Sequence, residues 1–123
     1  MNHQENGFIK GRIKSLKFAV KGVWLLISTE HSIMVQIAIA IMVTFLGWWL
    51  DISKTEWIFQ IFAIGLVLVA ESLNTCIEKL CDFIHADYNN KIGFIKDIAA
   101  GAVSFAAITA IIIGLIIYLP KIL

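Results

Sequence analysis

Three long apolar runs, separated by short polar stretches, dominate the pattern of this chain. The first covers residues 33–50 (IMVQIAIAIMVTFLGWWL), is broken only by Gln36 and Thr44, and closes on Trp48 and Trp49. A tryptophan pair at the end of such a run suits the aromatic belt of a membrane–water interface. The second run, WIFQIFAIGLVLVA, starts at Trp57 and is short for the roughly 20 residues that cross a bilayer as helix. It continues as helix into Glu71-Ser72-Leu73-Asn74, which places the span at 57–75 and brings polar groups into its inner end. The third run, residues 98–119, has about the right length, with Tyr118, Pro120 and Lys121 as an interfacial stop. A soluble helical bundle would need a polar face on each helix, and the third run has almost none.

Ahead of these runs, residues 8–29 show a different pattern. Lys10, Lys14, Lys17 and Lys21 recur at i, i+4, i+7 and i+11 and line one helical face. Ile9, Ile13, Leu16, Val20, Val23 and Ile27 are expected on the opposite one. A basic face with an apolar stripe describes a helix lying on the anionic leaflet of a membrane, and docking alone accounts for most of these lysines. The expectation is an all-α membrane protein: an amphipathic surface helix at about 8–29 and three spans at about 33–50, 57–75 and 98–119. No repeat, low-complexity tract or linker divides it, so residues 1–123 are read as a single integral-membrane domain.

Composition agrees with this reading. Of 123 residues, 59% are hydrophobic and only 15% charged, against roughly 45–50% apolar in ordinary soluble domains. The formal net charge of +1 lacks the basic excess of a nucleic-acid binder. The start of the chain is polar and the first apolar run comes late, without a small-residue cleavage site, so no cleavable signal peptide is expected. Lys10, Arg12, Lys14, Lys17 and Lys21 precede the first span, only Lys54 stands between the first two, and Lys79, Lys91 and Lys96 lie between the second and third. By the positive-inside rule the N-terminus and second loop are cytoplasmic and the C-terminus is outside. Cys76 and Cys81 do not have the one-turn spacing for a shared metal and read as packing residues.

The chemistry is concentrated in Glu71-Ser-Leu-Asn74-Thr-Cys-Ile-Glu78-Lys-Leu-Cys-Asp82. Spacings of three, four and four put Glu71, Asn74, Glu78 and Asp82 on one helical face. The solvated face of a helix leaving the bilayer would explain the last three. It does not explain Glu71, an ionisable group at the end of an apolar run, where charge costs a few kcal/mol and marks function. Glu30 and His31 stand near the same boundary, as do Asp87-Tyr88-Asn89-Asn90 and, directly before the third span, Lys96-Asp97. Carboxylates with Asn suit Mg²⁺, which prefers oxygen ligands and shares its shell with substrate phosphates. A lysine beside them would neutralise the charge of a transferring phosphoryl group. His31 and His85 lack ligand-spaced partners and read as interfacial. These residues fit a phosphotransferase acting on a lipid, and equally an ion or proton pathway through Glu71. The pathway would need more polar groups inside the spans than Gln36, Thr44, Gln60, Ser104 and Thr109.

Glu71-x-x-Asn74-Thr75-x-Ile77-Glu78, then Asp82, then Lys96-Asp97-x-Ala99-Ala100-Gly101-Ala102-Val103, closely resembles the bacterial integral-membrane diacylglycerol kinase family, which includes undecaprenol kinases. The resemblance runs from about Phe8 to the C-terminus. It implies a multi-pass enzyme of the bacterial inner membrane, acting at the cytoplasmic face. Such an enzyme is a homotrimer with sites shared between subunits. It moves the γ-phosphate of MgATP to the hydroxyl of a membrane lipid, in phospholipid or lipid-carrier recycling. Carried over by position, Glu71 is the catalytic base and Asn74 its polar partner. Glu30 and Glu78 hold the metal, and Lys96 with Asp97 meet the nucleotide phosphates. Asp87, Tyr88 and Asn89 fall in the nucleotide loop, Phe18 meets adenine, Trp49 borders the lipid pocket, and Ala100 joins the lipid contacts. Many members have an arginine on the surface helix where this chain has Gly11; its neighbours Lys10 and Arg12 are the two candidates for the lipid contact. The Ala99–Val103 run leans toward undecaprenol as acceptor.

Overall fold

In a computed structural model, residues 3–87 and 89–123 are described, with side chains from residue 6 onward; Tyr88, expected in the nucleotide loop, lies outside them. The described residues form four helices and no strand: α1 His3–Thr29, α2 His31–Trp49, α3 Lys54–Ile84 and α4 Asn90–Ile122. α2, α3 and α4 are each long and apolar enough to cross a membrane, which makes this a multi-pass membrane protein. The apolar runs therefore mark the right segments, but the helices extend well beyond them. Ser53 and Glu56 close a capping box that starts α3 at Lys54, ahead of Trp57. Asn89 caps α4, its side-chain oxygen accepting from the Lys91 amide at 2.8 Å, so α4 begins before the apolar run at 98. At 1.5 Å per residue α3 is roughly 46 Å long, against a hydrocarbon core of about 30 Å.

The chain divides into two units, the first ending at Met34 and the second Val35–Leu123. The first carries α1, whose side chains are almost all exposed. Its helix starts at His3 rather than residue 8. At roughly 100° per residue the lysine row and the apolar row lie about a quarter turn apart, side by side rather than back to back. Arg12 stacks over the Phe8 ring at 5.1 Å, and Lys14 lies 5.9 Å from the Phe18 ring. Both are cation–π contacts within one helix.

In the second unit α3 and α4 form an antiparallel hairpin. Gln60, Ala63, Val67, Asn74, Thr75 and Cys81 of α3, and Ala99, Ala106, Ile117 and Tyr118 of α4, are its buried positions. Small side chains at Ala63, Ala99 and Ala106 let helices approach closely, which is how helices pack where lipid supplies no hydrophobic drive. The rest of the surface is apolar: Phe62 is 72% and Phe105 78% exposed, an arrangement suited to lipid rather than water.

Two ion pairs bracket the hairpin. Lys121 Nζ meets Glu56 Oε1 at 3.2 Å at one end, and Lys96 Nζ meets Asp82 Oδ1 at 2.7 Å at the other. They are roughly 39 Å apart along α3, enough to stand on opposite sides of the hydrocarbon core. Just inside the Glu56–Lys121 end lies a knot that joins three helices. Tyr118 donates to Gln60, whose amide donates to the Val43 carbonyl of α2 at 3.2 Å. Tyr118, expected as part of an interfacial stop, is instead buried, because Gln60 at this depth needs a partner. Gly47 fits beneath the knot: a Cβ there would lie 3.0 Å from Ile52 and Trp57 and 3.1 Å from the Tyr118 hydroxyl.

Candidate functional site

The acidic face of α3 points along the hairpin toward its Asp82–Lys96 end. Counted along the helix axis from Asp82, Glu78 is roughly 6 Å, Asn74 roughly 12 Å and Glu71 roughly 16 Å farther into the membrane-spanning part. The four groups thus form a ladder, a half-buried carboxylate at the deep end and exposed ones at the shallow end. Asn74 links the middle of it, its Nδ2 donating to Glu78 Oε1 at 3.1 Å. That orientation leaves Asn74 Oδ1 buried with no hydrogen-bond partner. A buried acceptor without a donor is costly, commonly about 1–3 kcal/mol, and calls for an explanation such as a catalytic role or an ion. Across the ladder from α4 comes Lys96, bonded to Asp82 and within electrostatic reach of Glu78.

Of the residues singled out from the sequence, the second unit brings together Asn74, Glu78 and Lys96, with Asp82 as a fourth. Asp97 follows Lys96 and is exposed, as are Trp49, Asp87 and Ala100. Asn89 is occupied by capping α4, so its side-chain oxygen is committed to structure. In the first unit, Phe18 and Arg12 are exposed on α1, and Glu30 is the single non-helical residue joining α1 to α2, with Thr29 donating to its carboxylate at 3.4 Å. Asp82 carries no role in the sequence reading. Its i+4 spacing from Glu78 is visible there, but its pairing with Lys96 depends on which turn of α3 faces which turn of α4.

No group of three or more His, Cys, Asp or Glu capable of holding a metal occurs among the described residues. Mg²⁺ binds through one or two carboxylates plus substrate phosphates rather than a closed protein cage. Glu78 and the unpartnered Asn74 oxygen are both hard oxygen donors of the kind it prefers, so the residues fit that ion. Four of the polar groups inside the spans are already hydrogen-bonded within the protein. Thr44, Ser104 and Thr109 donate back to the carbonyls of Ala40, Ala100 and Phe105 in their own helices, and Gln60 is held by Tyr118.

Comparison with known proteins decides between the readings left open. A family model described as prokaryotic diacylglycerol kinase matches residues 17–118. The chain belongs to the prokaryotic diacylglycerol kinase family. Membership makes it a membrane lipid kinase, with ATP-dependent phosphotransfer as its chemistry, and nothing favours the ion-pathway alternative. Among its relatives are the undecaprenol kinase of Bacillus subtilis, 37% identical over 108 residues and 88% of each chain, and the diacylglycerol kinase of Escherichia coli, 28% identical over 112 residues and 91% of each. A diacylglycerol kinase of Synechocystis is 42% identical over 59 residues, 47% of this chain and 34% of that one. The match to the family model takes in the whole ladder, Lys96-Asp97, Glu30 and Phe18, and leaves out Arg12.

Proposed function

We propose that this kinase phosphorylates undecaprenol, using MgATP, as a homotrimer in the bacterial inner membrane with its N-terminus in the cytoplasm. The whole chain would act as one domain. The observation that carries the reading is the ladder on α3, whose groups are ordered by depth as a lipid kinase requires. The lipid hydroxyl reaches Glu71 from the membrane side, while the nucleotide reaches Glu78 and Lys96 from the aqueous side. Glu71 takes the hydroxyl proton as the oxygen bonds to the γ-phosphorus, and the bond from that phosphorus to the β-bridging oxygen breaks, releasing ADP. Asn74 holds the hydroxyl and the Glu78 carboxylate in line. Lys96 and Asp97 orient the phosphates, Asp87, Tyr88 and Asn89 border the nucleotide, and Phe18 offers a ring to the adenine. Glu30 and Glu78 would hold the Mg²⁺, which when bound offsets phosphate charge. Trp49, Arg12 and Ala100 are the lipid contacts in this reading.

Undecaprenol is favoured over diacylglycerol by the higher identity to the Bacillus undecaprenol kinase and by the Ala99-Ala100-Gly101-Ala102-Val103 run. The excess of Lys and Arg before α2 and at the facing ends of α3 and α4, Lys79, Lys91 and Lys96, supports the orientation. Assayed side by side in the same mixed micelles, undecaprenol should give the higher kcat/KM. A preference for diacylglycerol would reassign the acceptor and leave the kinase standing.

A further inference from the structure

We propose that Asp82 is a positioning residue for Lys96, holding its ammonium at the shallow end of the ladder so that the nucleotide phosphates meet a cation already in place. The proposal rests on the reading of Lys96 as a phosphate contact. The bond is a single one, Nζ to Oδ1 at 2.7 Å, and a lysine ammonium has three donors. Two remain for phosphate oxygens while Asp82 keeps the third.

A plain structural ion pair explains these residues poorly. The side chains are 36% and 61% exposed, and pairs so open to water contribute little to stability. Each charge also stands at the wrong end of its helix. Asp82 lies in the last turn of α3, where the macrodipole disfavours an anion, and Lys96 lies in the second turn of α4, toward the end that disfavours a cation. Helix stability alone would select the reverse arrangement. A lysine left free would lose its side-chain freedom each time nucleotide bound, so fixing it beforehand lowers the cost of binding. Glu78, the carboxylate read as the metal holder, stands one helical turn from Asp82 on the same face of α3.

The test uses the full chain in lipid–detergent micelles, with KM for MgATP, KM for lipid and kcat measured for Asp82→Ala, Asp82→Glu, Lys96→Ala and the Asp82→Ala/Lys96→Ala pair. Asp82→Ala should raise KM for MgATP by roughly tenfold, the lower end of what is lost when the partner that orients a metal ligand is removed. KM for lipid should stay unchanged. Asp82→Glu should recover most of the loss, and the double variant should be no worse than Lys96→Ala alone. Asp82→Asn, which keeps the shape, replaces Asp82→Ala if the alanine variant does not fold. An unchanged or lowered KM for MgATP in the Asp82 variants, with Lys96→Ala still impaired, overturns the positioning role and spares the reading of Lys96. A normal KM for MgATP in Lys96→Ala overturns both. Loss of thermal stability with both KM values unmoved marks Asp82 as structural and also overturns the proposal.

Discussion

Glu71→Gln should lower turnover by roughly 10²- to 10⁴-fold while changing KM for MgATP little, because general-base catalysis is typically worth that much and the amide cannot accept a proton. The replacement keeps the shape and the hydrogen-bonding capacity of the side chain, so a fold defect is not the expected cause; particle size in detergent checks this. Glu78→Gln should fail differently. It removes a carboxylate that accepts from Asn74 Nδ2 and is read as a metal holder, so apparent MgATP affinity and turnover should fall together. Excess Mg²⁺ should restore part of that loss and none of the loss in Glu71→Gln. Near-normal turnover in Glu71→Gln, or a response to Mg²⁺ in that variant alone, would overturn the role assignment.

A second large effect concerns assembly. Glu30→Gln and Glu71→Gln proteins should each be inactive alone and active when mixed under conditions where subunits exchange. If a site takes Glu30 from one subunit and Glu71 from its neighbour, a mixed assembly contains some sites with both carboxylates intact. Random assortment of equal amounts around a ring leaves roughly a quarter of the interfaces correct, so about a quarter of the wild-type rate is expected. Mixtures that stay inactive while crosslinking shows exchange would place both residues in one subunit's own site.

The spans were legible because an apolar run long enough to cross a bilayer has few other uses, and the residues of the ladder because helical spacing fixes a shared face. The extra turns of α3 and α4 were less so, since helix ends depend on caps. The Ser53-x-x-Glu56 signature was present in the sequence and would have moved the start of α3 ahead of Trp57. The burial of Tyr118 is hidden in the sequence for a different reason. An aromatic residue near a helix end suits an interface, and only the position of Gln60 on another helix turns it inward. The Asp82–Lys96 pair likewise depends on which turn of α3 faces which turn of α4, and a hydrophobic pattern does not encode that register when both faces are apolar. Asn89 shows the converse: read as a nucleotide contact, it supplies the cap that sets where α4 begins.

The central claim, that this chain moves the terminal phosphate of ATP to a lipid hydroxyl, is tested most directly by the fate of label. Purified protein is incubated with Mg²⁺, undecaprenol and ATP labelled at either the γ- or the α-phosphate, and the lipid is extracted into organic solvent. γ-Label should appear in the extract and α-label should not, and Glu71→Gln should transfer label at least about a hundredfold more slowly. Folded wild-type protein that leaves the extract of undecaprenol and of diacylglycerol equally free of γ-label would contradict it.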